Sequence, residues 1–256
     1  VVGEQAQQVY ADGKAMLAKL IEGRKLSANG VFALLPARRT APEDITIYSD
    51  ESLSTPVLTW HGLRQQTHKP SGEFNKCLAD YVAPIDANVP DYLGCFAVSV
   101  HGADALAQAY EAKGDDYNAI LAKALADRLA ESFAEHLHQR IRTEFWAHHP
   151  EEDLTNDDLI AERYQGIRPA PGYPACPDHS VKAALFEVLK AHDIQMSLTE
   201  NLAMLPASSV SGFYLWRPES QYFNLGPIGE DQLADYASRA GVSDRDARSR
   251  LATVLG

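Results

Sequence analysis

The spacing of apolar residues changes along the chain, and this pattern predicts a mixed series of helices and strands. Helical spacing covers residues 2–21, and an Asn29-Gly30 pair after it predicts a turn. Short β-type runs follow at 31–35, 45–48, 57–60, 81–83 and 92–100. No connection between these runs holds the helical crossover that parallel strands need, so the sheet is predicted to be antiparallel.

The second half of the chain is mostly helical. A long helix is predicted near 116–146, with Asp115 or Asp116 as its cap. Its predicted apolar face consists of Tyr117, Ile120, Leu121, Ala124, Leu125, Leu129, Phe133, Leu137 and Ile141. Further helices are predicted at 156–164, 181–191, 231–239 and 244–254, and a hairpin at 210–216 and 222–225. The fold class is therefore α+β, with an antiparallel sheet and packed helices in a single domain.

Composition and charge narrow the classes of function. The 256 residues carry a net charge of -12, and no run of Lys or Arg exceeds two residues, which argues against nucleic-acid binding. No apolar stretch approaches the roughly 18 residues needed to cross a membrane. The three cysteines are far apart and form no CxxC pair, which favours reduced thiols and a cytoplasmic location. The glycine motifs of Rossmann and P-loop nucleotide sites are absent from the sequence.

One loop has the most distinctive composition. The segment 168–179 opens with Arg168 and holds four prolines in twelve residues, so it can be neither a helix nor a central strand. We expect a stiff, ordered loop whose shape is set before a ligand arrives. An arginine on such a loop is suited to hold a carboxylate or a phosphate through two parallel hydrogen bonds.

Carboxylates could form the opposite side of such a site. Asp127, Glu131 and Glu135 are spaced four residues apart on the long helix, which is either a solvated acidic face or an acidic wall for a cationic ligand. Glu162, six residues before Arg168, could add a carboxylate at the mouth of the loop. Arginine facing carboxylates suits a zwitterion, such as an amino acid or a sulfonium with an amino-acid tail.

Other candidate groups are less specific. The aromatic residues at 211–216 and 221–223 are either core residues or rings that stack on a purine. His136 and His138 face different directions on a helix, and His148-His149 lacks adjacent ligands, so no metal site is predicted. A nucleophilic pair of Cys176 and His179 is conceivable but has little support.

The loop and its flanks resemble a known family. The sequence Gln-Gly-Ile-Arg-Pro-Ala-Pro-Gly-Tyr-Pro-Ala-Cys-Pro-Asp-His at 165–179 resembles the signature of the activation domain of cobalamin-dependent methionine synthase. Segments at 63–66, 77–84, 115–118, 123–131 and 209–212 resemble that domain in the same order. The resemblance covers essentially the whole chain. It implies one domain, 1–256, cut from a longer multidomain protein and lacking an aspartate-bearing segment that the family carries upstream.

The resemblance implies a fold and a function. The family's domain is a C-shaped α+β domain around a twisted antiparallel sheet, and it binds S-adenosylmethionine. It docks over the cobalamin-binding domain of the same enzyme, so cobalamin would be met only through that neighbour. When the cobalt is oxidised to cob(II)alamin, flavodoxin or an equivalent reductase supplies one electron and S-adenosylmethionine supplies the methyl group that restores methylcobalamin.

The resemblance also implies roles for seven residues. Arg168 would hold the ligand carboxylate, Ala170 would offer backbone groups to the adenine, and Tyr173 would lie near the sulfonium. The other four, implied at the ligand or its methyl group, are Glu131, Glu162, Tyr222 and Phe223. The chain alone is not expected to make methionine. Two alternatives stay open: a free-standing reactivator of another corrinoid methyltransferase, and a docking module that binds no ligand.

Overall fold

The computed structural model describes residues 2–256, so Val1 lies outside the described part of the chain. The elements in chain order are α1 (Val2–Gly23), β1 (Ser27–Ala41), β2 (Asp44–Tyr48), β3 (Pro56–His61), β4 (Tyr92–His101), α2 (Ala103–Glu111), α3 (Asp116–Arg140), α4 (Asn156–Ile160), α5 (Val181–Leu189), β5 (Ser197–Leu198), β6 (Met204–Leu205), β7 (Ser209–Tyr214), α6 (Glu230–Ala240) and α7 (Asp244–Arg250).

The main sheet has five strands in the order β3-β2-β1-β4-β7, and β5 pairs with β6 in a separate small ladder. Strand β2 pairs antiparallel with both of its neighbours, so that Ile47 lies opposite Ala37 on β1 and Ile45 opposite Trp60 on β3. All five residues of β2 are buried, and they include the polar residues Asp44 and Thr46. The predicted α+β class with an antiparallel sheet is confirmed.

The chain forms two compact units. Among the described residues, the first comprises 2–31, 97–140 and 191–210. Its core packs Met16 and Leu20 of α1 against Ala122 of α3. A second cluster joins the same long helix to β4 and the start of α2 through the residues Val100, Ala103, Ala126 and Ala130.

The second unit comprises 32–96, 141–190 and 211–256. Helices α5 and α6 both pack on β3. Trp60 of β3 stacks on Phe213 of β7, with ring centroids 4.3 Å apart. A C-terminal cluster of Leu63, Leu225, Ile228, Leu233, Tyr236, Ala247 and Leu251 buries the inner faces of α6 and α7. This unit holds the proline-rich loop.

The long helix is confirmed, but its buried face differs from the prediction. The large apolar residues Tyr117 and Ile120 are 50% and 68% exposed. Of the predicted face, Leu137 and Ile141 are buried, but most of the buried face is an alanine series: Ala119, Ala122, Ala126, Ala130 and Ala134. Alanine ends at Cβ, so neighbouring elements can approach the helix axis closely, and the larger side chains lie at the edges of the contact.

The end of this helix widens into a π-helical turn at Ile141–Phe145. The amide of Trp146 there donates to the carbonyl of Ile141, five residues earlier, at 2.9 Å. The predicted span to residue 146 therefore holds, although its last turn is not α-helical. At the other end Asp115 accepts from the amide of Asn118 at 3.1 Å, as expected of a cap.

Three local predictions were wrong. Asn29-Gly30 lies inside β1 and forms no turn; Gly30 is needed there because an added Cβ would lie 2.9 Å from the Phe133 ring. The run 81–83 is not a strand, because Asp80 accepts from the Cys77 amide and helps close a 3-10 turn at Leu78–Tyr81. The run 222–225 makes no strand.

Helix α2 and the small β5–β6 ladder were not predicted from the sequence. The three cysteines are free and buried, in agreement with the reduced thiols that were predicted. Within residues 2–256, no helix combines the length and the apolar composition that a membrane span requires.

Candidate functional site

The proline-rich loop begins alongside the end of β7. Ile167 and Leu215 exchange both backbone hydrogen bonds, at 2.8 and 3.0 Å, and the Phe213 amide donates to the carbonyl of Pro169 at 2.9 Å. A Cβ on Gly212 would lie 2.4 Å from that same carbonyl oxygen, so only glycine allows the loop to approach this closely. The backbone of Arg168 is thus held between two residues that are tied to the sheet.

The middle of the loop is tied to itself. The Tyr173 amide donates to the Ala170 carbonyl at 3.1 Å, and the Cys176 amide donates to the Tyr173 carbonyl at 2.8 Å. Gly172 has a φ of 99°, in the left-handed region, and its amide donates to the Cys176 carbonyl at 2.7 Å. The loop is ordered by its own turns as well as by its prolines.

Two tyrosines hold Arg168. Its Nη1 donates to the hydroxyl of Tyr164 at 2.6 Å, and its backbone N–H donates to the hydroxyl of Tyr222 at 2.9 Å. The first contact directs the guanidinium, and the second fixes the backbone. The half-buried Arg168 side chain is therefore restrained at both ends.

A buried ion pair lies behind Tyr164. The Arg142 guanidinium is centred 4.0 Å over the Tyr164 ring, a cation–π arrangement. The same guanidinium donates to both carboxylate oxygens of Glu152, at 2.7 and 2.6 Å. The side chains of this pair are only 1% and 6% exposed. Tyr164 thus stands between a buried charge pair and the arginine of the loop.

The pKa of Tyr222 reports the charges around its hydroxyl. Burial raises this pKa to about 12, while Arg168 lowers it, and both Tyr164 and Glu162 act to raise it. Tyr222 is therefore a neutral phenol that can accept the Arg168 N–H. The same interactions show that Glu162 lies in electrostatic range of the hydroxyl bonded to Arg168. Glu162 has a φ of 53°, a left-handed conformation that is uncommon for a non-glycine residue.

The structure brings together three of the seven predicted site residues, namely Arg168, Tyr222 and Glu162. Ala170 is 7% exposed within the loop, and Tyr173 is 54% exposed at its turn. Phe223 is half-buried and follows Tyr222. Glu131 is half-buried on α3, in the first unit, and its part in the site stays a prediction.

Sequence reasoning missed Tyr164, Arg142 and Glu152. Tyr164 was placed at the end of a helix, but α4 ends at residue 160 and Tyr164 lies in the loop beyond it. No sequence pattern indicates its contact with Arg168, because neither residue lies in a helix or a strand. The Arg142–Glu152 pair spans ten residues across the π turn, and no sequence pattern indicates such a contact.

A cavity of about 590 Å³ lies on another side of Tyr164. Its wall includes His148, Glu152, Tyr164 and Gln165, and none of the seven predicted site residues lines it. Both ring nitrogens of His148 are buried and lack a hydrogen-bond partner among the described residues. Burial lowers the pKa of His148 to about 4, so the imidazole is neutral. Across residues 2–256, no group of three or more His, Cys, Asp or Glu side chains is arranged to hold a metal ion.

The geometry decides against a nucleophilic Cys176. The thiol is 4% exposed, and burial raises its pKa far above neutral pH, so the reactive thiolate does not form. Burial also lowers the pKa of His179. The His179 ring instead packs against Gly172, where an added Cβ would lie 2.2 Å from the Cε1 atom. Both residues shape the loop.

Comparison with known proteins gives two findings. The family model described as "Vitamin B12 dependent methionine synthase, activation domain" matches residues 1–241. The chain is also similar to the solved structure titled "Crystal Structure of the MetH Reactivation Domain bound to AdoHcy", with 49% sequence identity and a TM-score of 0.93. The match covers 100% of this chain and 79% of that one.

Proposed function

Because the chain belongs to the family of vitamin B12-dependent methionine synthase activation domains, we propose that it binds S-adenosylmethionine at the loop that opens with Arg168. The similar structure holds AdoHcy, the demethylated form of that ligand, which supports the proposal. The observation that carries it is the restrained Arg168 side chain, with its backbone on Tyr222 and its guanidinium on Tyr164. Arginine restrained in this way suits a carboxylate.

The ligand would lie along the loop in a defined order. Arg168 binds the carboxylate, the backbone at Ala170 meets the adenine, and Tyr173 lies near the sulfonium. Tyr173 is 54% exposed, so a ligand in solution can reach it. The remaining members of the proposed site are Tyr222, Phe223, Glu162 and Glu131.

The proposed role is reactivation of the parent enzyme in methionine biosynthesis. Bound S-adenosylmethionine supplies the methyl group for the reductive methylation of cob(II)alamin. The cobalamin-binding domain of the same enzyme is the proposed partner, and flavodoxin or an equivalent reductase is the proposed electron donor. The chain alone would bind ligand without making methionine. A cytoplasmic location and a single domain over 1–256 stay predictions.

Two alternative functions differ from the proposed one, the first in whether a ligand is bound and the second in the partner protein. A docking module without a ligand site would have no reason to restrain Arg168, so the two tyrosine contacts argue against it. A free-standing reactivator of another corrinoid methyltransferase would share the site. It would differ only in the corrinoid protein that it binds.

Calorimetric titration with S-adenosylmethionine tests the proposal. We expect saturable binding, and Arg168→Ala should weaken it by about 1.5 to 3 kcal/mol, the scale for hydrogen bonds to a charged group. Arg163→Ala is the matched control, because Arg163 is 70% exposed and pairs only with Asp158 among the ion pairs of the described chain. Absence of binding, or equal losses in the two variants, would refute the proposal.

A further inference from the structure

We infer that Tyr164 is a positioning residue, which directs the Arg168 guanidinium toward the ligand carboxylate while the buried Arg142–Glu152 pair holds the Tyr164 ring. This inference rests on the proposed function and deepens it. It assigns selectivity for the carboxylate to a residue that does not itself touch the ligand.

The side chains of Arg168 and Tyr164 are in direct contact. The Arg168 Nη1 donates to the Tyr164 hydroxyl at 2.6 Å, a short hydrogen bond from a charged donor. A guanidinium carries five N–H donors in a rigid planar fork, so a bond from one of them to Tyr164 sets the orientation of the whole plane. Anchoring one edge of the plane fixes the direction in which the remaining donors point.

Tyr164 lowers the entropy that Arg168 loses when a ligand binds. Arginine has a long side chain with many rotamers, and a ligand that has to order them binds less tightly. Because the Tyr164 bond is made in the folded protein, this ordering precedes ligand binding. The gain is specific to the carboxylate, since only that group meets the guanidinium in the proposed pose.

The buried Arg142–Glu152 pair holds the Tyr164 ring. Its ring lies 4.0 Å from the centre of the Arg142 guanidinium, and Arg142 is in turn bonded to both oxygens of Glu152. The Arg142 side chain is 1% exposed, so the guanidinium plane has no freedom to turn. A buried planar group of this kind fixes the position of the ring stacked on it. The hydroxyl at the far end of the ring is therefore fixed as well.

The two tyrosines act on different parts of Arg168. Tyr222 accepts the backbone N–H of Arg168 at 2.9 Å and so positions the loop. Tyr164 accepts from the side chain and so positions the guanidinium. Loss of the Tyr164 hydroxyl should leave adenosine contacts intact and weaken the carboxylate contact alone.

The test compares two ligands on one substitution. Tyr164→Phe keeps the ring that stacks on Arg142 and removes only the hydroxyl. Calorimetry is run with S-adenosylmethionine and with its decarboxylated analogue, which keeps the sulfonium and the adenosine. We expect about a tenfold loss of affinity for S-adenosylmethionine, the scale of one charge-assisted hydrogen bond, and an unchanged affinity for the analogue. Tyr92→Phe is the matched control, because it removes a phenol bonded to Glu51 at 2.5 Å outside the site, and should change neither affinity.

A double variant isolates the route of action. If Tyr164 acts through Arg168, Tyr164→Phe added to Arg168→Ala should produce almost no further loss. Equal weakening of both ligands, unchanged binding of S-adenosylmethionine, or independent effects in the double variant would each overturn the inference. Unfolding transitions of all variants establish that they are folded. Failure of the unsubstituted chain to bind S-adenosylmethionine would instead overturn the proposed function, so the two failures are distinct.

Discussion

The Arg142–Glu152 pair provides a quantitative test of the structure. Glu152→Gln keeps the size and one acceptor oxygen but removes the negative charge. Arg142 is 1% exposed, so its charge would stay buried without a counter-ion. Removal of one partner from a buried pair typically costs about 3 to 5 kcal/mol. Because the amide still accepts one hydrogen bond, we expect a loss of about 3 kcal/mol in the free energy of unfolding.

The assay is equilibrium unfolding in urea, with a matched exposed pair as the control. Arg248 also bonds to both oxygens of Glu230, but the side chains of that pair are 43% and 73% exposed. Glu230→Gln should therefore cost far less than Glu152→Gln, because solvent screens the exposed pair. The slope of the free energy against urea should stay constant, so that the midpoint reports stability alone. Similar losses in the two variants would show that burial does not set the cost and would refute the reasoning.

Two further predictions concern His148 and Gly172. Below pH 6.5 the unfolded chain protonates His148, whereas in the folded chain burial lowers its pKa to about 4; stability should therefore fall by about 2 kcal/mol from pH 7 to pH 5. In urea unfolding at several pH values, His148→Phe should remove this dependence of the free energy of unfolding on pH. His136→Phe, at an exposed position, should retain it. The same pH dependence in both variants would contradict the assignment to His148. An alanine at either Gly172 or Gly72 would have to adopt a positive φ, which costs about 1–2 kcal/mol. Gly172→Ala should destabilise the protein more than Gly72→Ala, because only Gly172 faces the His179 ring. Thermal unfolding measures both, and equal losses would refute the close contact.

Helices and strands could be predicted where the apolar residues follow a single periodicity along the sequence. The runs around β2 and β3 are short, apolar and bounded by turn residues, and both strands formed there. The long helix was also predictable from its continuous pattern. Its buried face was not, because the pattern ranks large apolar residues above alanine, whereas close packing places alanine inside. The prediction of a turn at Gly30 was wrong for a related reason, since the glycine is required by its contact with Phe133, a residue distant in sequence.

Some residues of the candidate site could also be predicted from the sequence, and others could not. Arg168 and the rigidity of its loop could be predicted because prolines act locally on the backbone. Glu162 was predicted from its position six residues before Arg168, and the family resemblance, now confirmed, pointed to Tyr222 and again to Glu162. Tyr164 and the pair behind it could not be found, since their contacts join a π turn, a following segment and the loop. Nothing in the sequence alone fixes how these three segments meet.

The position of the Arg142–Glu152 pair explains why so polar a group is buried beside the loop. A buried ion pair seldom adds stability beyond what packed apolar residues would give, because desolvation offsets the attraction. Apolar residues in its place could fill the volume, yet they would offer no charged plane for Tyr164 to stack on. The pair therefore orients the Tyr164 ring, and through the Tyr164 hydroxyl it orients the Arg168 guanidinium. The stability experiment on Glu152 and the ligand experiment on Tyr164 therefore measure two ends of one chain of contacts, from a buried carboxylate to the proposed ligand carboxylate.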